Sequence, residues 1–247
     1  MTRPLSNLLP SSWRGRLREA SHHVRQVLDR TYFSYARNSE RTRQLGKQFD
    51  PRISHTQPIL PGTFADNHAH NLRLAAQSIN RKVIFPGEIF SFWHFVGIPS
   101  VARTYKIGQG IIDDEPNAVQ GGGLSQMSSA LYYLGLQAGL EILERHAPPV
   151  DPYGDKGRPS PLGTEAEVHY GETNLRMRNS LPYPIAFCLR ANGLMLQAHL
   201  CTPNPIEALK VEFVVARQQE QVSITTLRHY RNGKTEHLGK VDYAQVW

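Results

Sequence analysis

Only two cysteines, Cys188 and Cys201, occur in the 247 residues, no apolar run is long enough to cross a bilayer, and histidines and cysteines nowhere fall at metal-ligand spacing. A disulfide-stapled scaffold and a zinc fold are thereby excluded, and a chain of this length must hold itself together by its own hydrophobic core. The first ten residues contain Leu5, Leu8 and Leu9 but no apolar core of the length a secretory leader needs, and Ser11-Ser12-Trp13-Arg14 turns polar. These features favour a cytoplasmic protein with no signal peptide or transmembrane helix. No Lys-Ser or Lys-Thr follows the chain's one triple glycine, and there is no dinucleotide fingerprint and no internal repeat, so no nucleotide cofactor is expected. The Asp113-Asp114-Glu115 triplet reads as a solvated loop, because adjacent carboxylates repel and no histidines complete a ligand set. No metal and no other cofactor is expected, and no feature fixes an oligomeric state.

The net charge of +7 is unevenly placed. Residues 1–52 carry eleven Lys or Arg against four Asp or Glu, and the rest of the chain balances at seventeen against seventeen. From Arg14 to Asn38 the apolar residues Leu17, Ala20, Val24, Val27, Leu28, Phe33 and Tyr35 recur at mostly helical spacing among arginines. An amphipathic basic helix is expected there, either packed on the domain or lying on a membrane surface as a peripheral anchor. Nucleic acid is not an expected partner, since neither zinc-finger spacing nor an aromatic base-stacking motif accompanies the charge.

Periodicity divides the remainder into an α+β protein, a helical N-terminal part followed by a mainly antiparallel β C-terminal part. Three segments are expected: a basic helical arm over 1–60, a central domain over 61–205, and a C-terminal β extension over 206–247 packed on the same domain. Leu72, Ala75, Ala76 and Ile79 predict a helix over 68–80, and Met127, Leu131, Leu134 and Ala138 predict another from Leu124 to about Leu140. Between them Pro86-Gly87-Glu88 signals a turn, and Phe90, Phe92, Trp93 and Phe95 are dense enough to build core, with Trp93 or Phe95 alternatively lining a cleft. Residues 105–112 read as a short strand. Alternation predicts further strands at 166–170, 175–178, 184–190, 194–200, 209–215, 222–230 and 235–243. Cys188 and Cys201 flank Asn192-Gly193. With those two residues as the hairpin turn, Cys188 faces Gln197 and Cys201 faces Pro184, which leaves the thiols roughly 13 Å apart and free.

The strongest chemical signal is Gly121-Gly122-Gly123-Leu124-Ser125-Gln126, three glycines running into a helix. Glycine lets backbone approach a ligand closely, and a helix N-terminus presents unpaired N–H groups and the positive end of its dipole. A serine there either caps the helix or acts as a nucleophile, and the second role needs an adjacent base, because its hydroxyl is protonated at neutral pH. His146 could be that base with Glu165 as its orienting carboxylate, or a structural histidine. Arg145 could clamp a ligand carboxylate, or pair internally with Glu141 or Glu144. Gln126 could donate to a carbonyl or oxyanion.

The glycine run stands in an ordered series with His70 to Gln77, Asn80, Pro86-Gly87-Glu88, Phe90 to Trp93, Val96, Ser128, Glu144-Arg145-His146, Pro161 to Thr164, Gly171 and Leu175 to Asn179. This series resembles the VanW family, named for an accessory protein of some vancomycin-resistance clusters. The resemblance implies a link to peptidoglycan and the cell envelope, and a site at Gly121, Gly122, Gly123, Gln126 and Ser128. In the family the run usually reads Gly-Gly-Gly-x-Cys-Gln, and some members are thought to use the cysteine as an L,D-transpeptidase nucleophile. That position here is Ser125. A histidine found in many relatives two residues beyond His146 is replaced by Pro148, the family's Asp-Ala pair is Glu165-Ala166, and its Asp-Leu pair is Asn174-Leu175. Two functions follow as expectations. One is a noncatalytic accessory protein binding a peptide-like or peptidoglycan-precursor ligand at the helix N-terminus. The other is an acyl-transfer enzyme or amide hydrolase using Ser125 in place of the cysteine.

Overall fold

The apolar period shortens from helical to alternating along the chain, and the secondary structure follows it. The structure is a computed structural model that describes residues 34–112, 115–151, 158–218 and 221–244. Helices α1 (Glu40–Gly46), α2 (Ala65–Ile79), α3 (Phe92–Val96) and α4 (Leu124–Ala138) alternate with the early strands. These are β1 (Asp50–Pro58), β2 (Val83–Ile84), β3 (Ile89–Ser91), β4 (Ile107–Ile112), β5 (Glu115–Gln120) and β6 (Glu141–Glu144). Only strands follow: β7 (Arg176–Arg178), β8 (Ile185–Ala191), β9 (Met195–Thr202), β10 (Lys210–Gln218), β11 (Gln221–His229) and β12 (Thr235–Ala244). The class is α+β, with antiparallel sheets ordered β1-β9-β8-β2, β10-β11-β12 and β3-β7-β6 beside the β4-β5 hairpin.

Helix α2 buries the expected stripe of Leu72, Ala75, Ala76 and Ile79. Helix α4 buries twelve of its fifteen residues, so it is a core helix rather than an amphipathic surface one. Phe90, Phe92 and Phe95 are buried around it, as their density suggests. The C-terminal sheet is fastened to the end of α4 by Arg228, which is 3% exposed. Its Nη1 donates to the carbonyl of Leu140, just past the helix, at 2.9 Å, and its Nη2 to Glu236 at 2.8 Å.

Four expectations change. Residues 50–58, assigned from the sequence to the arm, form β1 and pair along their length with β9. The basic helix falls mostly on residues outside those described, but at its expected end Tyr35 bridges to Ile89 and the Ala36 N–H donates to the Ile89 carbonyl, so 35–38 is not helical. Asp113 and Asp114 also lie outside the described residues. The strand expected over 166–170 is an extended segment outside any sheet, joined only by the isolated His169↔Thr173 bridge, because its N–H groups go to α4 side chains and to the His146 carbonyl.

The fourth change concerns the cysteines. Gly193, at φ +94°, and Leu194 form the hairpin turn, and Asn192 Oδ1 accepts from the Leu194 and Met195 N–H groups. Moving the turn centre by one residue shifts the register by two, so Cys188 faces His199 and Cys201 faces Ala186. The cysteines are then diagonal neighbours with Cα atoms 6.3 Å apart, and they are disulfide-bonded in a buried cluster with Phe49 and Val83.

Candidate functional site

The glycine run turns the chain from β5 into α4, and its tightness is imposed by neighbours. A Cβ on Gly122 would stand 2.3 Å from the Gly108 carbonyl carbon, and one on Gly123 would meet the His68 ring at 2.7 Å. Gly121 and Gly123 take φ of +78° and +91°, and Gly123 is the N-cap residue of α4. Buried Asn71 clamps the turn. Its Nδ2 donates to the Gly122 and Lys106 carbonyls, both at 2.9 Å, and its Oδ1 accepts the Lys106 N–H at 2.8 Å. The three glycine N–H groups are all engaged, by the carbonyls of Lys106, Val119 and Gln109 in order. The donors left open among the described residues are the N–H groups of Leu124 and Ser125, in the first turn of α4.

These two residues face a cavity of about 650 Å³ lined by the glycine run, His68, Trp93, Gln126 and the segment from Glu165 to Tyr170, with Glu172 at its edge. Ser125 does not cap the helix. Its Oγ accepts the Val168 N–H at 3.2 Å, which ties α4 to the extended segment. Ser129, one turn on, holds the Ala166 N–H in the same way at 3.0 Å. Glu167 and His169 of that segment line the cavity as well, with His169 Nε2 3.3 Å from Glu167 Oε1.

The expected Ser125–His146–Glu165 relay is not assembled. His146 is absent from the cavity lining, and its Nε2 meets Glu144 Oε1 at 3.1 Å. Glu144 also accepts from Arg176 Nε at 2.6 Å and the Asn174 N–H at 3.0 Å. Burial pushes the Glu144 carboxyl up, but His146 and Arg176 outweigh it and hold it below the usual carboxylate range. Glu165, 4% exposed, lines the cavity yet is turned inward, with Oε2 accepting the Tyr243 hydroxyl at 2.7 Å and the Gly163 N–H at 2.8 Å. Burial and this carboxylate raise the Tyr243 phenol. Arg145 donates to the carbonyls of Glu165 (2.6 Å) and Gly163 (3.0 Å) and lies over the Tyr132 ring, so it braces the segment rather than clamping a ligand. Ser128 is fully buried away from the lining, and its hydroxyl has no partner among the described residues.

Gln126 reverses its expected polarity. It is 4% exposed, and Nε2 donates to the Pro58 carbonyl, an acceptor that fixes which way the amide points. The Oε1 atom accepts nothing among the described residues, so Gln126 offers the cavity an acceptor, not an oxyanion donor.

Sequence reasoning passed over His68, Glu167, His169 and Tyr170. His68 Nε2 accepts the Gln109 N–H at 2.9 Å, and burial lowers its pKa, so it is a neutral ring supporting β4. The visible signal for it is the pair Gly108 and Gly123, whose missing Cβ atoms make room for the ring. For Glu167 and His169 the signal is the alternation of segment 166–170, in which they are the half-buried polar positions between the buried Ala166 and Val168. Trp93, one of two aromatics considered for a cleft, does line the cavity.

Residues 67–201 match the family described as VanW like protein. The chain is 32% identical over 116 residues to the Vancomycin B-type resistance protein VanW of Enterococcus faecalis, covering 47% of this chain and 42% of that one. It is 34% identical over 128 residues to the Uncharacterized protein YoaR of Bacillus subtilis, covering 51% of this chain and 40% of that one. The aligned part thus spans less than half the length of either relative. No solved structure matches. With the family match running across α2, the glycine run, α4 and the β8-β9 hairpin, the chain belongs to the VanW family.

Proposed function

We propose that this protein binds a peptide-like ligand in the cavity at the start of α4, as a noncatalytic accessory of peptidoglycan metabolism or the glycopeptide response. The observation that carries the reading is the state of Ser125. Its oxygen accepts a backbone N–H, and among the described residues no imidazole or carboxylate is hydrogen-bonded to its hydroxyl, so nothing withdraws its proton. The open Leu124 and Ser125 N–H groups and the Gln126 Oε1 acceptor match the alternating acceptors and donors of a peptide backbone. The relative named for vancomycin resistance supports the envelope context. The Cys188–Cys201 bridge supports action in an oxidising compartment, where peptidoglycan lies, over the cytoplasmic location suggested by the sequence. Among the described residues no helix is long and apolar enough to cross a membrane, and membrane contact through the basic N-terminal segment remains part of the proposal.

A second reading is favoured by one observation: the Glu167–His169 pair shares the cavity with Ser125 and flanks the residue bonded to it. In that reading Ser125 Oγ attacks a peptide carbonyl, His169 takes the hydroxyl proton and passes it to the departing amine, and water releases the acyl group. Calorimetry and mass spectrometry with a purified peptidoglycan tetrapeptide separate the two. The binding reading expects heat of binding for wild type and Ser125→Ala alike, and an unchanged peptide mass. Turnover by wild type that disappears in both Ser125→Ala and His169→Gln would replace it with the acyl-transfer reading.

A further inference from the structure

The cavity wall has a charge opposite to that of the protein. The chain carries a formal +7, yet the lining residues include Glu165, Glu167 and Glu172 and no lysine or arginine. Arg145, the cation behind this wall, is taken up by two carbonyls and an aromatic ring. Of the three carboxylates, Glu165 is 4% exposed and takes two donors, Tyr243 and Gly163, both on Oε2, whereas Glu167 is less buried and, among the described residues, is met by the His169 ring alone, on Oε1. An anionic ligand end would meet this field unfavourably, and a cation would be stabilised by it.

Gln126 supplies independent support. It is more than nine-tenths buried on the cavity wall, its amide is locked by Pro58, and its Oε1 is an acceptor with no donor among the described residues. Oε1 is not among the closed-off unpartnered atoms, so it opens to the cavity, where a ligand donor can take the place of water. The aromatic wall has the same preference. Trp93, whose indole N–H is taken by the Thr173 carbonyl at 2.8 Å, packs at right angles to Phe92 and Tyr170, with centroids 5.0 and 5.5 Å away, and both Trp93 and Tyr170 line the cavity. Aromatic walls attract ammonium groups where a ring face is presented to them.

Resting on the binding reading above, we propose that the cavity selects a peptide carrying a primary ammonium group, with the Glu167 carboxylate as counter-ion and Gln126 Oε1 accepting a ligand N–H. The ammonium belongs either to a lysine-type side chain or to a free amino terminus, and the two sources can be told apart by capping.

The test is isothermal titration of the full chain with three synthetic probes: Ac-Ala-Lys-Ala-amide, Ac-Ala-Nle-Ala-amide and uncapped Ala-Nle-Ala-amide. At least one ammonium-bearing probe should bind roughly ten- to a hundredfold more tightly than the fully capped norleucine peptide, the range for a hydrogen bond to a charged group. The stronger of the two identifies the source. Glu167→Gln should remove most of that preference while Glu172→Gln removes less, with thermal melting confirming that both variants fold. Equal affinity for all three probes would overturn ammonium selection and leave the peptide-binding reading standing. A preference that survives Glu167→Gln would overturn the assigned counter-ion. Absence of binding by every probe would overturn both the selection and the binding reading beneath it.

Discussion

Glu165 and Glu167 lie two residues apart on one extended segment, carry the same charge and line the same cavity, yet they do different work. Glu165 takes two donors from within on one oxygen, the Tyr243 hydroxyl and the Gly163 N–H, and it joins β12 to the segment that follows β6. Among the described residues, Glu167 is held by a neighbouring imidazole alone and takes no donor from outside its own segment. The glycine run shows the same contrast in backbone form: the N–H groups of Gly121, Gly122 and Gly123 are all bonded inside the protein, while those of Leu124 and Ser125 are open. A polar group's type shows what it could bind, but only its neighbours show whether that capacity is already used.

The largest effect expected from this contrast is structural. Gly122→Ala places a methyl group 2.5 Å from the Gly108 carbonyl oxygen and 2.7 Å from that of Gln109, both backbone atoms that cannot turn aside. A stability loss of about 3 kcal/mol or more is expected, at the upper end for overpacking, measured as a lower denaturant midpoint. If Gly122→Ala instead unfolds normally but loses ligand, the glycine exists for close approach to the ligand, and the contrast drawn for the backbone fails.

This result bears on what was legible. The helices over 68–80 and 124–140, the late strands and the position of the cavity all follow from apolar period and from the glycine run, because local sequence sets both. The cysteine bridge was not legible, since Asn192-Gly193 and Gly193-Leu194 are both good turns and choosing between them moves Cys188 from Gln197 to His199. Nor were the roles of Arg145, His146 and Glu165. Glu144-Arg145-His146 reads as a row of candidate catalytic groups, but Glu144 takes His146 and Arg176 on one side while Arg145 braces residues 163–165 on the other. The Arg145–Gly163, Glu144–Arg176 and Glu165–Tyr243 contacts, at separations of 18, 32 and 78 residues, decide these roles, and no local pattern encodes them.

The two glutamates give the next effect. Glu165→Gln removes the charge from an acceptor of two buried donors and should cost about 2 kcal/mol of stability, with little direct effect on ligand recognition in the fraction that remains folded. Glu167→Gln should change the denaturant midpoint by less than about 0.5 kcal/mol, as for an acid without a buried network, and should act on ligand affinity instead. Paired denaturation and titration of both variants would erase the contrast if their two profiles coincide.

Ser125→Ala is expected to have the smallest effect on ligand affinity and divides the two functional readings most cleanly. The substitution deletes the acceptor of the Val168 N–H, and that bond holds the segment carrying Glu167 and His169 against α4. A loss of about 1 kcal/mol is expected, the usual net worth of one hydrogen bond, seen as a small downward shift in the melting midpoint. Affinity for a peptide should fall by less than about tenfold, since the Ser125 N–H, Gln126 Oε1 and Glu167 all remain and only their alignment loosens. Ser125→Cys should be intermediate, because sulfur is a weak acceptor for the Val168 N–H but keeps the side chain's shape. If Ser125→Ala instead abolishes binding while leaving stability unchanged, the hydroxyl itself touches the ligand, the bond to Val168 is incidental, and Ser125 belongs with Glu167 among the open groups of the cavity rather than with Glu165 among the satisfied ones.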